Sequence, residues 1–149
     1  MLRGPSALTR VCKRTVLSLA EHREQMPHFL IDLLRDRAAA IQLARTLDAS
    51  GEPRCVTAPA AAEVLIGAHL QGGRSLERAK DLLNSLVLLD FDRESYTEAG
   101  RLGALLIERG EEMSTPDLFI AAISKRHGQR LVTRDRAFGR IPGLSVETY

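Results

Sequence analysis

Four carboxylates in this chain sit against apolar sequence. Glu63 lies in Ala60-Ala61-Ala62-Glu63-Val64-Leu65-Ile66, and Asp117 in Thr115-Pro116-Asp117-Leu118-Phe119-Ile120. Asp135 follows Arg130-Leu131-Val132-Thr133-Arg134, and Asp32 lies inside Phe29-Leu30-Ile31-Asp32-Leu33-Leu34. An ionised carboxylate in an apolar setting must be paired, protonated or bound to a cation. Several such acids brought together repel unless a hard divalent cation joins them. Mg²⁺ takes oxygen ligands and keeps water, so such a group can activate a water and polarise a phosphate. Arg134, Arg136, Lys125 and Arg126 add positive charge suited to a polyanion. Each residue also has a plainer reading. Glu63 can pair with an Arg from a neighbouring element, and Asp117 can cap a helix and face its dipole. Asp135 can form a turn, and the basic residues can be solvated surface. For Asp32 the plainer reading is the favoured one: a helix residue turned outward beside Arg35.

The elements that must position these acids alternate. Phe29–Leu34 and the run from Ala38 to Leu47 read as helix, broken near Arg35–Arg37. After the turn cluster Ser50-Gly51-Glu52-Pro53, Arg54–Thr57 reads as a strand. Ala58–Leu70 reads as a helix, apolar nearly all round and so expected to be buried, stopping at Gly72-Gly73. Leu76–Ser85 is a further amphipathic helix, and Leu86–Phe91 reads as a strand buried on both faces. A helix over Arg93–Arg109 is expected to close on Gly110. The next opens at Thr115-Pro116-Asp117, with Thr115 as N-cap, Pro116 at the first helical position and Asp117 in the first turn, and it closes on Gly128. Gln129–Thr133 and Ser145–Thr148 are strands around a turn-rich connection. Strands alternating with helices imply a parallel sheet covered on both faces. In such a sheet, sites form beyond the carboxyl ends of strands, which is where Glu63, Asp117 and Asp135 fall.

Residues 1–26 read differently from 27–149, which form the expected domain. Acidic residues are absent before Glu21, and the one short apolar run is Thr15–Ala20. That run is a strand, or the segment is an extension or a transit-like leader; a secretory signal pattern is missing. At 149 residues, 44% hydrophobic and 27% charged, the chain is one domain's worth of globular sequence. It has no apolar run long enough for a membrane span. Cys12 and Cys55 form no CxxC, and the four histidines show no HExxH, which excludes the usual zinc motifs. A net charge of +2 is compatible with nucleic acid, while 4% aromatics and no Trp argue against recognition by base stacking.

Read together, the acidic segments resemble the PIN domain, in particular the VapC-type toxins of toxin–antitoxin pairs. Phe29–Arg35 resembles the segment after that family's first strand. Ala62-Glu63-Val64-Leu65-Ile66-Gly67-Ala68 resembles its second acidic motif, and Thr115-Pro116-Asp117-Leu118-Phe119-Ile120-Ala121-Ala122 its third. Leu131-Val132-Thr133-Arg134-Asp135-Arg136-Ala137-Phe138 resembles the fourth, with Arg140–Glu147 as a fitting end. The resemblance implies a three-layer α/β/α fold with a central parallel sheet, a Mg²⁺ or Mn²⁺ ion, and cleavage of single-stranded RNA. It implies Glu63, Asp117 and Asp135 as metal ligands and Thr133 as their hydroxyl support. Arg134 is the candidate phosphate contact. A cognate antitoxin, a homodimer, a cytoplasmic location and no membrane association complete the expectation. One departure stands out. Counting back from Phe29 puts Met26, then Pro27 and His28, where the family has its first Asp, and a soft thioether is a poor Mg²⁺ ligand. Either the true strand is Thr15–Ala20 with Glu21 at its end, or the head is altered. The alternative function is therefore a catalytically inactive PIN domain that binds antitoxin or RNA.

Overall fold

A computed structural model describes residues 15–17 and 29–149. Five strands form one parallel sheet: β1 (Thr15–Leu17), β2 (Arg54–Thr57), β3 (Val87–Leu89), β4 (Arg130–Val132) and β5 (Ser145–Glu147). Their order is β3-β2-β1-β4-β5. The helices are α1 (Phe29–Leu34), α2 (Ala38–Ala49), α3 (Ala58–Gln71), α4 (Arg74–Asn84), α5 (Arg93–Glu108) and α6 (Thr115–Arg126). This is the three-layer α/β/α arrangement that the alternation predicts. None of these helices is long and apolar enough to cross a membrane.

The apolar run near the start of the chain is a strand over Thr15–Leu17, and it takes the central place. Val16 lies in register with Cys55 on one side and Leu131 on the other. The sheet is therefore built partly from the atypical head. The described part of β1 covers Thr15–Leu17. Met26, Pro27, His28 and Glu21 lie outside the described residues.

The interior strands carry the core. Cys55, Val56, Leu131 and Val132 are essentially inaccessible, as are Ile120, Ala121, Ala122 and Ile123 on α6. The expectation of burial on both faces fails for β3. Val87 is 39% and Leu88 53% exposed, because β3 is an edge strand with one sheet neighbour. The expected burial of α3 fails in the same way. Its inner face is Ala60, Val64 and Ala68, while Ile66 and Leu70 stand in solvent.

Helix boundaries follow the local chemistry. The break after α1 falls at Asp36, which has a positive φ. Thr57 Oγ1 accepts from the Ala60 amide at the start of α3, and Asp92 accepts from the Ser95 amide at the start of α5. Both α5 and α6 end on a glycine in the left-handed region, Gly110 and Gly128. In each case the two residues after the cap donate back to the last turn: Gly110 and Glu111 to Ile107 and Leu106, and Gly128 and Gln129 to Lys125 and Ser124.

Candidate active site

The strand order reverses between β1 and β4: the chain moves outward from β1 through β2 to β3, then returns past β1 to β4 and β5. In a parallel sheet, connections on the two sides of such a reversal diverge and leave a crevice at the carboxyl edge. The expected acids belong to this edge. Glu63 lies in the second turn of α3, which leaves β2 without a loop. Asp117 lies in the first turn of α6, the helix that runs back to feed β4. Asp135 stands three residues past the end of β4.

Asp117 is buried at 4% exposure. The N-cap of α6 is Ser114 and not Thr115, because the Ser114 hydroxyl is the group that meets the Asp117 amide, at 3.3 Å. Ser114 Oγ also donates to Asp117 Oδ2 at 2.6 Å, so cap and acid hold each other. Both carboxylate oxygens of Glu63 are shielded from solvent, although the residue as a whole is only partly buried. Thr133 is buried, donates its amide to the Glu147 carbonyl and accepts from the Asp135 amide on its hydroxyl at 3.1 Å. Asp135 in turn accepts from the Ala137 amide at 2.7 Å and opens a 3₁₀ turn over Arg136–Arg140. Asp117 thus stands in the first turn of α6 as the acceptor of the cap's hydroxyl, and the plain structural role of Asp135 as a turn former is present.

Asp32 departs from expectation. It is buried at 2% exposure, not turned outward beside Arg35. Residues 29–32 of α1 all lie inside, and two distant groups reach the carboxylate. The Arg134 guanidinium donates to Oδ2 in an ion pair, and the Tyr149 hydroxyl donates to the same oxygen at 3.1 Å. The guanidinium also lies over the Tyr149 ring, 5.3 Å from its centroid, and Phe29 meets that ring edge-on. Burial, reinforced by the Asp32 charge, pushes the Tyr149 phenol well above its ordinary value, so it remains an O–H donor at neutral pH. Arg134 therefore has a structural partner, while 40% of its side-chain surface stays accessible. Asp32 escapes local reading because its partners lie 102 and 117 positions away.

The donor set at this edge is carboxylate and hydroxyl oxygen, the type that hard divalent cations select. Among the described residues, no three His, Cys, Asp or Glu side chains are gathered into a group that could hold a metal ion. The edge thus collects Glu63, Asp117 and Asp135 by topology without joining them in a ready ligand set.

The chain belongs to the PIN domain family, whose sequence pattern it matches over residues 28–144. The match begins downstream of β1. In fold the chain is similar to one in VapBC2 from Rickettsia felis, crystallised with a DNA fragment from their promoter. That pair shares 21% identity and a TM-score of 0.70, over 81% of this chain and 93% of that chain. It is also similar to a chain of DNA-bound VapBC from Salmonella typhimurium: 23% identity, TM-score 0.69, 91% and 97% covered. A toxin–antitoxin complex from Klebsiella pneumoniae gives 26% identity and a TM-score of 0.64, with 80% and 91% covered. No curated protein sequence gives a match. The VapC-type resemblance read from the acidic motifs is matched by these neighbours.

Proposed function

We propose that this chain is the metal-dependent endoribonuclease of a toxin–antitoxin pair, hydrolysing RNA phosphodiester bonds. Glu63, Asp117 and Asp135 are the residues that would hold a Mg²⁺ or Mn²⁺ ion, which when bound lowers the pKa of a water and polarises a phosphate oxygen. Thr133 orients Asp135 through its hydroxyl. Arg134, anchored at Asp32 with part of its surface open, contacts the RNA phosphate. The observation that supports this most is topological: Glu63, Asp117 and Asp135, hard oxygen donors from two helices and from the segment after β4, follow or precede strands at the carboxyl edge beside the reversal of strand order.

The partner is a cognate antitoxin, as in the complexes to which the fold is similar. A groove between α1, α3 and α4 suits an apolar helical segment of such a partner. Ile31, Leu34, Val64 and Ala68 line it, with Arg35 and Arg78 alongside. A homodimer in the cytoplasm completes the reading.

The decisive variant is Asp117→Asn, which keeps the side chain's shape and removes its charge. RNA cleavage in Mn²⁺ is expected to fall to background. Folding is expected to survive, since a first-turn acid contributes only about 0.3–1 kcal/mol through the helix dipole. Cleavage at the parent rate would remove Asp117 from the site. Glu63→Gln is expected to leave the metal-free melting temperature unchanged or higher and to shrink the rise on adding Mn²⁺. A large fall in metal-free stability with an unchanged Mn²⁺ response assigns Glu63 to structure instead.

A second reading is a PIN domain that binds antitoxin or RNA without cleaving. Its support is the lack of a three-ligand group among the described residues. Calorimetry at neutral pH separates the two: a chain that takes up neither Mg²⁺ nor Mn²⁺ is the binding module.

A further inference from the structure

Residues 133–135 carry two of the proposed site groups, and the residue between them is held from across the molecule. Arg134 is clamped by Asp32 of α1 and Tyr149, while on either side of it the Asp135 amide donates to the Thr133 hydroxyl. A buried carboxylate must keep its donors, so Asp32 fixes where the guanidinium sits, and Tyr149 closes the arrangement with one hydrogen bond and one ring face. A side chain pinned at its tip restricts its own backbone, and here that backbone runs directly into Asp135. The 3₁₀ turn beyond Asp135 restrains the other side through the Ala137 amide.

We infer that Asp32 and Tyr149 are positioning residues for Asp135, acting through Arg134 as a strut that sets the Thr133–Asp135 segment at the carboxyl edge. The inference rests on Asp135 being a metal ligand. Groups that orient metal ligands govern affinity for the ion beyond their effect on stability.

The test is Mn²⁺ calorimetry on the full chain, with melting temperatures measured alongside. Asp32→Asn and Arg134→Met are expected to weaken Mn²⁺ binding by about tenfold or more, the usual effect of losing an outer partner of a metal ligand. Tyr149→Phe keeps the ring and loses one hydrogen bond, so about threefold is expected. It also keeps the inference testable if Asp32→Asn fails to fold. Leu47→Ala opens a cavity under α2, far in sequence from this segment. It should lower the melting temperature while leaving Mn²⁺ affinity unchanged. Variants of Asp32 and Tyr149 that melt earlier but bind Mn²⁺ like the parent make the strut purely structural and overturn the inference alone. A parent that takes up no Mn²⁺ overturns the metal reading itself, and the strut's role falls with it.

Discussion

On the outer face of α5 and α6, Glu98 meets Arg101 at 2.7 Å and Lys125 at 2.8 Å, all three within reach of water. At the sheet edge, Asp32 is 3% exposed at its side chain and meets Arg134 and Tyr149. Both regions pair an acid with basic or hydroxyl groups, yet the physics differs. At the surface, attraction is screened and offset by the entropy of holding long side chains, so each pair contributes little. In the interior the carboxylate has lost its water, and removal of a partner leaves it uncompensated. The second kind of charge restricts geometry, and the first mainly decorates a helix.

Several substitutions sharpen that contrast. Arg134→Met leaves Asp32 buried with the Tyr149 hydroxyl as its one remaining side-chain donor among the described residues. A loss of about 3 kcal/mol is expected, the lower end of the range for a broken buried pair, because one donor remains. Urea unfolding would show it. A loss near zero would mean that water reaches Asp32 once the guanidinium is gone.

Ser114→Ala removes the hydroxyl shared by the α6 amide and Asp117, with an expected loss of about 1 kcal/mol. Thr115→Ala should stay within about 0.5 kcal/mol, since Thr115 is not the cap. Equal effects would return the cap to Thr115.

Glu98→Gln is expected to change neutral-pH stability by less than about 1 kcal/mol. Its signature lies in acid. The hydrogen bond from Arg101 pulls the Glu98 carboxyl from 4.5 to about 2, against the opposing effect of burial and with help from Lys125. The folded value lies below the unfolded one, so this stabilisation is complete above about pH 4.5 and disappears as pH falls toward 2. The variant should therefore lose less stability than the parent across that window. Matching acid limbs would show the pair to be inert.

The same contrast explains what was legible in the sequence. Glu98 and Arg101 lie three positions apart on one helix, a spacing that any helix brings together. Capping and closing residues such as Gly110 and Gly128 are local too, and their positions agree with the structure. The alternation of strands and helices gave the parallel three-layer fold, because it depends on periodicity alone. Three things were not local. Edge position decided that Val87 and Leu88 are exposed, and no short window reveals which strand lies at an edge. The central place of Thr15–Leu17 depends on pairing with β2 and β4, far along the chain. The burial of Asp32 depends on Arg134 and Tyr149. The acidic motifs pointed to Glu63, Asp117 and Asp135 because those acids interrupt apolar runs. Asp32 interrupts one as well, and that shared signal was the available clue to its burial.

The long span between Asp32 and its partners also bears on how the molecule assembles. Joining positions 32 and 134 closes a large loop, whose entropy is lost before the contact returns anything. Such a contact belongs among the last to form, after the helices and their local closures. Interactions absent from the folding transition state chiefly govern escape from the native state. The Asp32 cluster thus acts as a latch on unfolding: Arg134→Met should leave the folding rate nearly as it is and show its effect as faster unfolding.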